Sequence, residues 1–326
     1  MTTFADQVYQ NGGQLVGGFL STGKVWWVKP STGSDSNSGK TPSKALKTLA
    51  KAQTLATADK GDVVYLVSES NSAASTTDYQ SSALAWAKDG VHLIGVCSGA
   101  MVQQRARIAQ LSTATGITGL LTVSADNCYF SNFSVYHGVG DATSKGAVLV
   151  TGQRNLFDNV TMSGIGHDTM DSADNYSLGI SGGAENTFKN CYIGLDTIAR
   201  GTSANSEIRL QSGATRNLFD NCIVATYAEA AGHQFVLVPV NGLDRWTIFK
   251  NTIFMNMPTG DAAGTTMTEA FDVTGGGSPD GIIYLDFCSL IGATDWEAAA
   301  VSGKVLIRTD GGTAATAGLT ADVAAS

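Results

Sequence analysis

The chain has 326 residues, a formal net charge of −8 and 15% charged residues, with 38 glycines, 5 prolines and 5 cysteines. An acidic balance without a basic run argues against nucleic acid as a partner. No apolar run is long enough to cross a bilayer, so no membrane insertion is expected. An anionic polysaccharide is disfavoured too, unless a local basic groove collects it.

Residues 1–22, rich in Gly and Gln, read as an N-terminal arm. Val25-Trp-Trp-Val28 then reads as a first strand, with Trp26 or Trp27 packed under the helix that follows. That helix is expected over residues 42–57. Thr41 would cap it, Pro42 suits its first turn, and Leu46, Leu49, Ala50 and Gln53 fall at i, i+3, i+4 and i+7. Its apolar side would cover the open end of the first coil. Residues 61–67 and 91–94 read as the next strands, and His92 and His137 as packed histidines.

From there a single pattern dominates. Phe-x-Asn followed by alternating apolar residues occurs five times: Phe130-Ser-Asn132, Phe157-Asp-Asn159, Phe188-Lys-Asn190, Phe219-Asp-Asn221 and Phe249-Lys-Asn251. The steps between successive asparagines are 27, 31, 31 and 30 residues. A period of that size means stacked units, none able to bury its apolar face alone. Positions +1 and +3 after each Asn are apolar in four copies and Thr252/Phe254 in the last, a period of two that marks strands with one buried face. The Phe also looks inward although it lies three residues from +1, so the chain must bend at the Asn. Asparagine suits that bend because it tolerates the left-handed conformation, and stacked copies are expected to hydrogen-bond in a ladder. A second apolar run precedes each motif (148–150, 178–180, 208–210, 236–238), set off by glycine turns. Strand, Gly turn, strand, Asn bend and a longer loop make one coil of a parallel solenoid.

Residues 271–273 and 282–287 read as a degenerate coil, and 305–307 as a last strand. The organisation is therefore an arm (1–22), one solenoid domain (23–309) and a tail (310–326) rich in Ala, Gly and Thr. Such tails are read as frayed, or as arms that order on a neighbouring subunit. The cysteines (Cys97, Cys128, Cys191, Cys222, Cys288) lack metal-ligand spacing. Cys191 and Cys222 share one column and read as stacked buried thiols, close enough to bridge.

With these coils the chain resembles the right-handed parallel β-helix proteins of the pectate-lyase-like superfamily. Asn155-Leu-Phe-Asp-Asn159-Val, Asn186-Thr-Phe-Lys-Asn190-Cys and Asn217-Leu-Phe-Asp-Asn221-Cys match its coil repeat. Residues 31–48 match its polar loop and helix that plugs the solenoid end. The resemblance spans roughly residues 24 to 310. It implies an all-β fold, a right-handed parallel β-helix (β-solenoid) with an N-terminal capping helix, and leaves function open across lyases, hydrolases, esterases, adhesins and phage structural proteins.

The glycoside hydrolases of this superfamily use clustered aspartates, a His-Gly pair and an Arg-x-Lys segment, which do not occur here as a set. Gly166-His167-Asp168 and Gly232-His233-Gln234 are the nearest fragments. The densest acidic group is Asp168, Asp171 and Asp174 beside His167, with Asp196, Arg200 and Glu207 one coil later. If the chain is an enzyme, Asp168, Asp171, Asp196 and Glu207 in loops 163–176 and 194–207 are the candidates, for Ca²⁺ binding or paired acid–base work. The competing reading is solvated surface. No metal or other cofactor is expected. A carbohydrate-stacking platform would draw on Tyr192 and Tyr227, the aromatics placed on an outer face. The Asn-x-Ser/Thr sequons at Asn132, Asn159 and Asn175 are read as chance matches.

The start of the chain lacks the basic and apolar regions of a signal peptide, which fits a protein made in a host cytoplasm and released by lysis. The expectation is accordingly a non-enzymatic component of a phage virion on the virion surface, decorating the capsid or forming a short fibre or spike. Its partners would be phage capsid or tail proteins and possible host surface glycan, and the resemblance implies a homotrimer. The alternative is a polysaccharide depolymerase, glycoside hydrolase or lyase, or a carbohydrate-binding adhesin.

Overall fold

The structure is a computed structural model. It describes residues 21–308 except 70–76, 98–100, 103–104, 203–204, 257–263, 274–280 and 298–303, together with short strands outside that span. It is an all-β, right-handed parallel solenoid of about seven turns, built from three parallel sheets that run its length. The Phe-x-Asn strands form an eleven-stranded sheet, here the Phe sheet. The strands after the Asn bend form an eight-stranded second sheet, and the runs before the glycine turns an eight-stranded third sheet.

One coil shows the logic. Leu156–Asp158 lies in the Phe sheet, Thr161–Ser163 in the second and Tyr176–Ser181 in the third, before Thr187–Lys189 re-enters the Phe sheet one rung on. Between the first two strands Asn159 sits at φ 56°, and Asn132, Asn190, Asn221 and Asn251 lie at 60°, 52°, 56° and 48°. The bend is thus a single left-handed residue, the conformation an L-residue other than Asn, Asp or Gly adopts at a cost of about 1–2 kcal/mol. The expected ladder is present in part. Asn159 donates to Asn132 and Asn221 to Asn190, while Asn190 turns to Asp158 Oδ1 at 2.9 Å. A second ladder, of fully buried Asn155, Asn186 and Asn217, ties the preceding turns together: each Oδ1 accepts from the backbone N–H one coil back.

Inside, Phe130, Phe157, Phe188, Phe219 and Phe249 stack along the axis with ring centroids 4.5–4.8 Å apart and planes within 13°. That spacing is the strand separation of a sheet, so register alone brings the rings into offset stacking. Cys191 and Cys222 continue the core as free, buried thiols, each donating to the carbonyl of the Phe one coil earlier. In the third sheet Tyr176 lies over Gly146, where a Cβ would come within 1.9 Å of the ring, so only glycine fits. Ile282–Asp286 and Val305–Arg308 extend the Phe sheet as expected, and Phe287 takes the bend position at φ 52° where the Asn pattern fades.

The cap is shorter than the sequence pattern suggests. Pro42–Lys44 is one 3₁₀ turn, Leu46 bridges to Val28, and the α-helix is Leu49–Leu55. Thr41 makes no side-chain cap. Thr48 does, accepting from Lys51 N–H, and Asp35 binds Thr48 as well. The register accordingly starts at Leu49, burying Leu49, Ala52 and Gln53 and leaving Ala50 exposed. Trp26 is the tryptophan that packs inward with the helix, its Nε1 donating to Asp62, whereas Trp27 lies outside against Tyr65 at 4.8 Å. Within the arm, Tyr9–Gln10, Gly13–Val16 and Phe19–Ser21 pair antiparallel, and in the tail Leu319–Ala321 pairs with Val305–Arg308. The rest of both termini lies outside the described residues.

Candidate functional site

The four carboxylates singled out in the sequence go to different places. Glu207, on the third-sheet strand Ser206–Gln211, is fully buried. Its Oε1 accepts from Arg200 Nε at 3.2 Å and Thr226 Oγ1 at 2.8 Å, and its Oε2 from Ser177 Oγ at 2.5 Å. Arg200, equally buried, gives its remaining N–H groups to the carbonyls of Gly164, Ile165, Leu195 and Ile198. Asp171 binds backbone: its Oδ2 accepts from Gly201 N–H at 2.6 Å and Thr202 N–H at 3.1 Å, joining loops one coil apart. Asp168 is exposed and Asp196 half-buried.

Asp171 and Glu207 belong to one internal chain. Asn205 donates to Asp171 and presents Oδ1 to His233 Nδ1 at 2.7 Å, and His233 Nε2 lies 3.0 Å from Thr226 Oγ1. Burial first, and the Arg200 charge second, push His233 down to about 3, so it is neutral at pH 7. Asn205 then fixes the proton on Nδ1, and the one Thr226 proton is shared between His233 Nε2 and Glu207. A carboxylate so enclosed is a strut between coils, with no atom open to a polymer. Among the described residues no three carboxylate, imidazole or thiol groups converge to hold a metal ion.

An open concave surface lies on the outer face of the second sheet. Register places Thr77, Arg107, Ser134, Thr161 and Tyr192 in one outward column, and Tyr79, Ala109, Tyr136 and Ser163 in the next. A cleft of about 350 Å³ is lined by Arg107, Ser134, Tyr136, Thr161, Ser163, Leu195 and Thr197. Arg107 is half-buried, and burial, then the charge of Arg105, lower its pKa. No carboxylate among the described residues pairs with it, and the hydroxyls of Tyr79 and Tyr136 are close enough to act on its charge. Tyr136 is anchored by its hydroxyl, donating to Gly166 O at 2.9 Å. Tyr192 and Tyr227, the aromatics expected on an open face, are only 5% and 8% exposed, while Tyr79 is 47% exposed.

Sequence reasoning missed this cleft because its residues come from four successive coils: Arg107, Ser134 with Tyr136, Thr161 with Ser163, and Leu195 with Thr197. The detectable signal was an arginine at the outward position of a strand. A second groove, lined by Arg216, Asp244, Arg245, Trp246 and Ile282, has both guanidinium groups already paired, Arg216 to Glu185 and Arg245 to Asp244. His92 and His137 are buried as expected; burial pushes both down to about 4.

No family model and no curated protein sequence matches the chain. Among solved structures it is similar to pectate lyase Pel9A (TM-score 0.54, 15% identity, 80% of this chain and 62% of that one). It is also similar to a rhamnogalacturonan lyase (0.53, 18%, 81% and 67%) and to the pectin methylesterase PemA from Erwinia chrysanthemi (0.51, 16%, 83% and 81%). The chain thus spans under two thirds of the pectate lyase's length. At these identities the likeness is one of fold, the right-handed parallel β-helix.

Proposed function

We propose that the chain binds an acidic polysaccharide along the outer face of the second sheet, with Arg107 as the counter-charge. The observation that carries this is the half-buried Arg107 guanidinium, which faces the cleft without a carboxylate partner among the described residues. A guanidinium remains cationic even when burial lowers its pKa, and its fork matches a carboxylate bidentately. Hydroxyls of Ser163 and Thr197 suit sugar hydroxyls, and the faces of Tyr79 and Tyr136 suit the apolar faces of sugar rings. A local positive site also answers the overall charge of −8, which by itself disfavours an anionic polymer. Three structural neighbours are named for pectate, rhamnogalacturonan and pectin, which favours a polysaccharide reading over a structural role in a phage virion. Neither the cleft nor those neighbours lend the virion role support.

Cleavage is the second reading, favoured by one observation. Asp196 does not itself line the cleft, but its chain neighbours Leu195 and Thr197 do, which makes it the candidate among the four carboxylates. Affinity electrophoresis in gels containing polygalacturonate, alginate or dextran tests the binding. The expected result is retardation by the polyuronates, weakened about 10- to 100-fold in Arg107→Ala, the loss of one charged hydrogen-bonded contact. Equal retention in dextran, or no effect of Arg107→Ala, would overturn it. Chain shortening that Asp196→Asn abolishes would add a cleavage step.

A further inference from the structure

The outer face of the Phe sheet carries two columns whose order is self-complementary. Register runs Asp158, Lys189, Asp220, Lys250 and Asp286 along one column, and Arg308 follows on the next rung. The signs alternate without a break over these six rungs. Beside it runs Leu156, Thr187, Leu218, Ile248, Tyr284 and Leu306, all half-buried. Lys189, Asp220 and Lys250 have no ion-pair partner among the described residues. Asp158 accepts from Asn190 and Tyr129, and Asp286 pairs with Arg308 at 2.9 Å.

We propose that this face is an interface with a second copy of the chain, related by a two-fold axis along the strand direction, so that the two solenoids run antiparallel. Such an axis between the Asp220 and Lys250 rungs keeps each column opposite itself and reverses its order. Asp220 then faces the second copy's Lys250, Lys189 its Asp286 and Asp158 its Arg308. The apolar column pairs Leu218 with Ile248 and Leu156 with Leu306. A parallel pairing of the same faces would set every charge against its own kind. Six rungs, five intervals of about 4.8 Å, give a contact roughly 24 Å long, and sheets stack about 10 Å apart. A narrow contact of this kind makes a weak, reversible dimer at the small end of specific interfaces. The cleft of Arg107 lies on another sheet and stays open.

The alternation has a competing explanation, in which each charge simply offsets its neighbours within one chain. Two variants separate the explanations. Asp220→Lys sets lysine against lysine across the axis, so sedimentation velocity of the full chain is expected to show dimerisation weakened at least 10-fold. Adding Lys250→Asp restores every cross-axis pair, yet leaves Lys189 beside a lysine and Asp286 beside an aspartate within the chain. Recovery of the dimer in the double variant, with melting temperatures showing that all forms fold, supports the antiparallel interface. Ionic strength gives an independent reading: the Debye length falls from about 30 Å at 0.01 M to about 3 Å at 1 M, so association should weaken with salt. A chain that is monomeric or trimeric throughout, or a double variant no better than Asp220→Lys, would overturn the proposal.

Discussion

A buried charge is held by what it touches, and Glu207 shows how much rests on that. Its carboxylate and the Arg200 guanidinium are both fully enclosed and saturated by hydrogen bonds, with Ser177 and Thr226 completing the carboxylate. Removing one partner leaves the other charge uncompensated, a change that costs about 3–5 kcal/mol. Glu207→Gln is therefore expected to lower the unfolding free energy by about that much in denaturant titration, while leaving retention in polyuronate gels unchanged under native conditions. Full stability with lost retention would place Glu207 in the cleft's chemistry instead.

At the level of the element, the Phe column is the axis of the core. Phe188 stacks at 4.8 Å on Phe157 and 4.7 Å on Phe219, so truncating it opens a void shared by three coils. Phe188→Ala is expected to cost about 3–5 kcal/mol. Because each repeat touches only its neighbours, the loss should be local. Hydrogen exchange should speed up first in Leu156–Asp158 and Asn217–Asp220, with the distal coils following later. A uniform rise along the whole solenoid would show that the coils unfold as one unit.

The whole molecule should be acid-labile. Burial pushes His92 and His137 down to about 4 and His233 down to about 3, against an unfolded value near 6.5. These groups bind protons on unfolding, so their contribution is lost as pH falls from about 6.5 towards 4. Burial pushes Asp78 the other way, up to about 6, despite its acceptance from Leu49 N–H. Asp78 holds a proton the unfolded chain has released, and its effect is largest below pH 4 and vanishes as pH rises through 6. Three imidazoles against one carboxyl leave about two protons taken up on unfolding between pH 4 and 6, roughly 3 kcal/mol per pH unit. Denaturant midpoints should fall across that range, more steeply in Asp78→Asn. A flat profile would mean that the histidines are not held neutral.

The sequence by itself determined the solenoid, because its cause is local and repeated. Each Phe-x-Asn must bend at one left-handed residue and bury alternate side chains, whatever lies elsewhere in the chain, and five copies fix the stacking. The helix was legible in existence but not in extent, since Asp35, a dozen residues away in the chain, sets its start at Thr48 by accepting from Lys47 and Thr48 N–H. The acidic loops were legible as a cluster and not as surroundings: only the three-dimensional path put Arg200 and Thr226 around Glu207 and closed it from solvent. The cleft belongs to tertiary structure, whereas the alternating charges Asp158, Lys189, Asp220 and Lys250 are the middle residues of successive Phe-x-Asn copies and need only the coil's pitch to become neighbours. Residues about thirty positions apart become neighbours through the pitch of the coil, so Arg107 meets Ser134, and Lys189 meets Asp220, by a register that no single segment encodes.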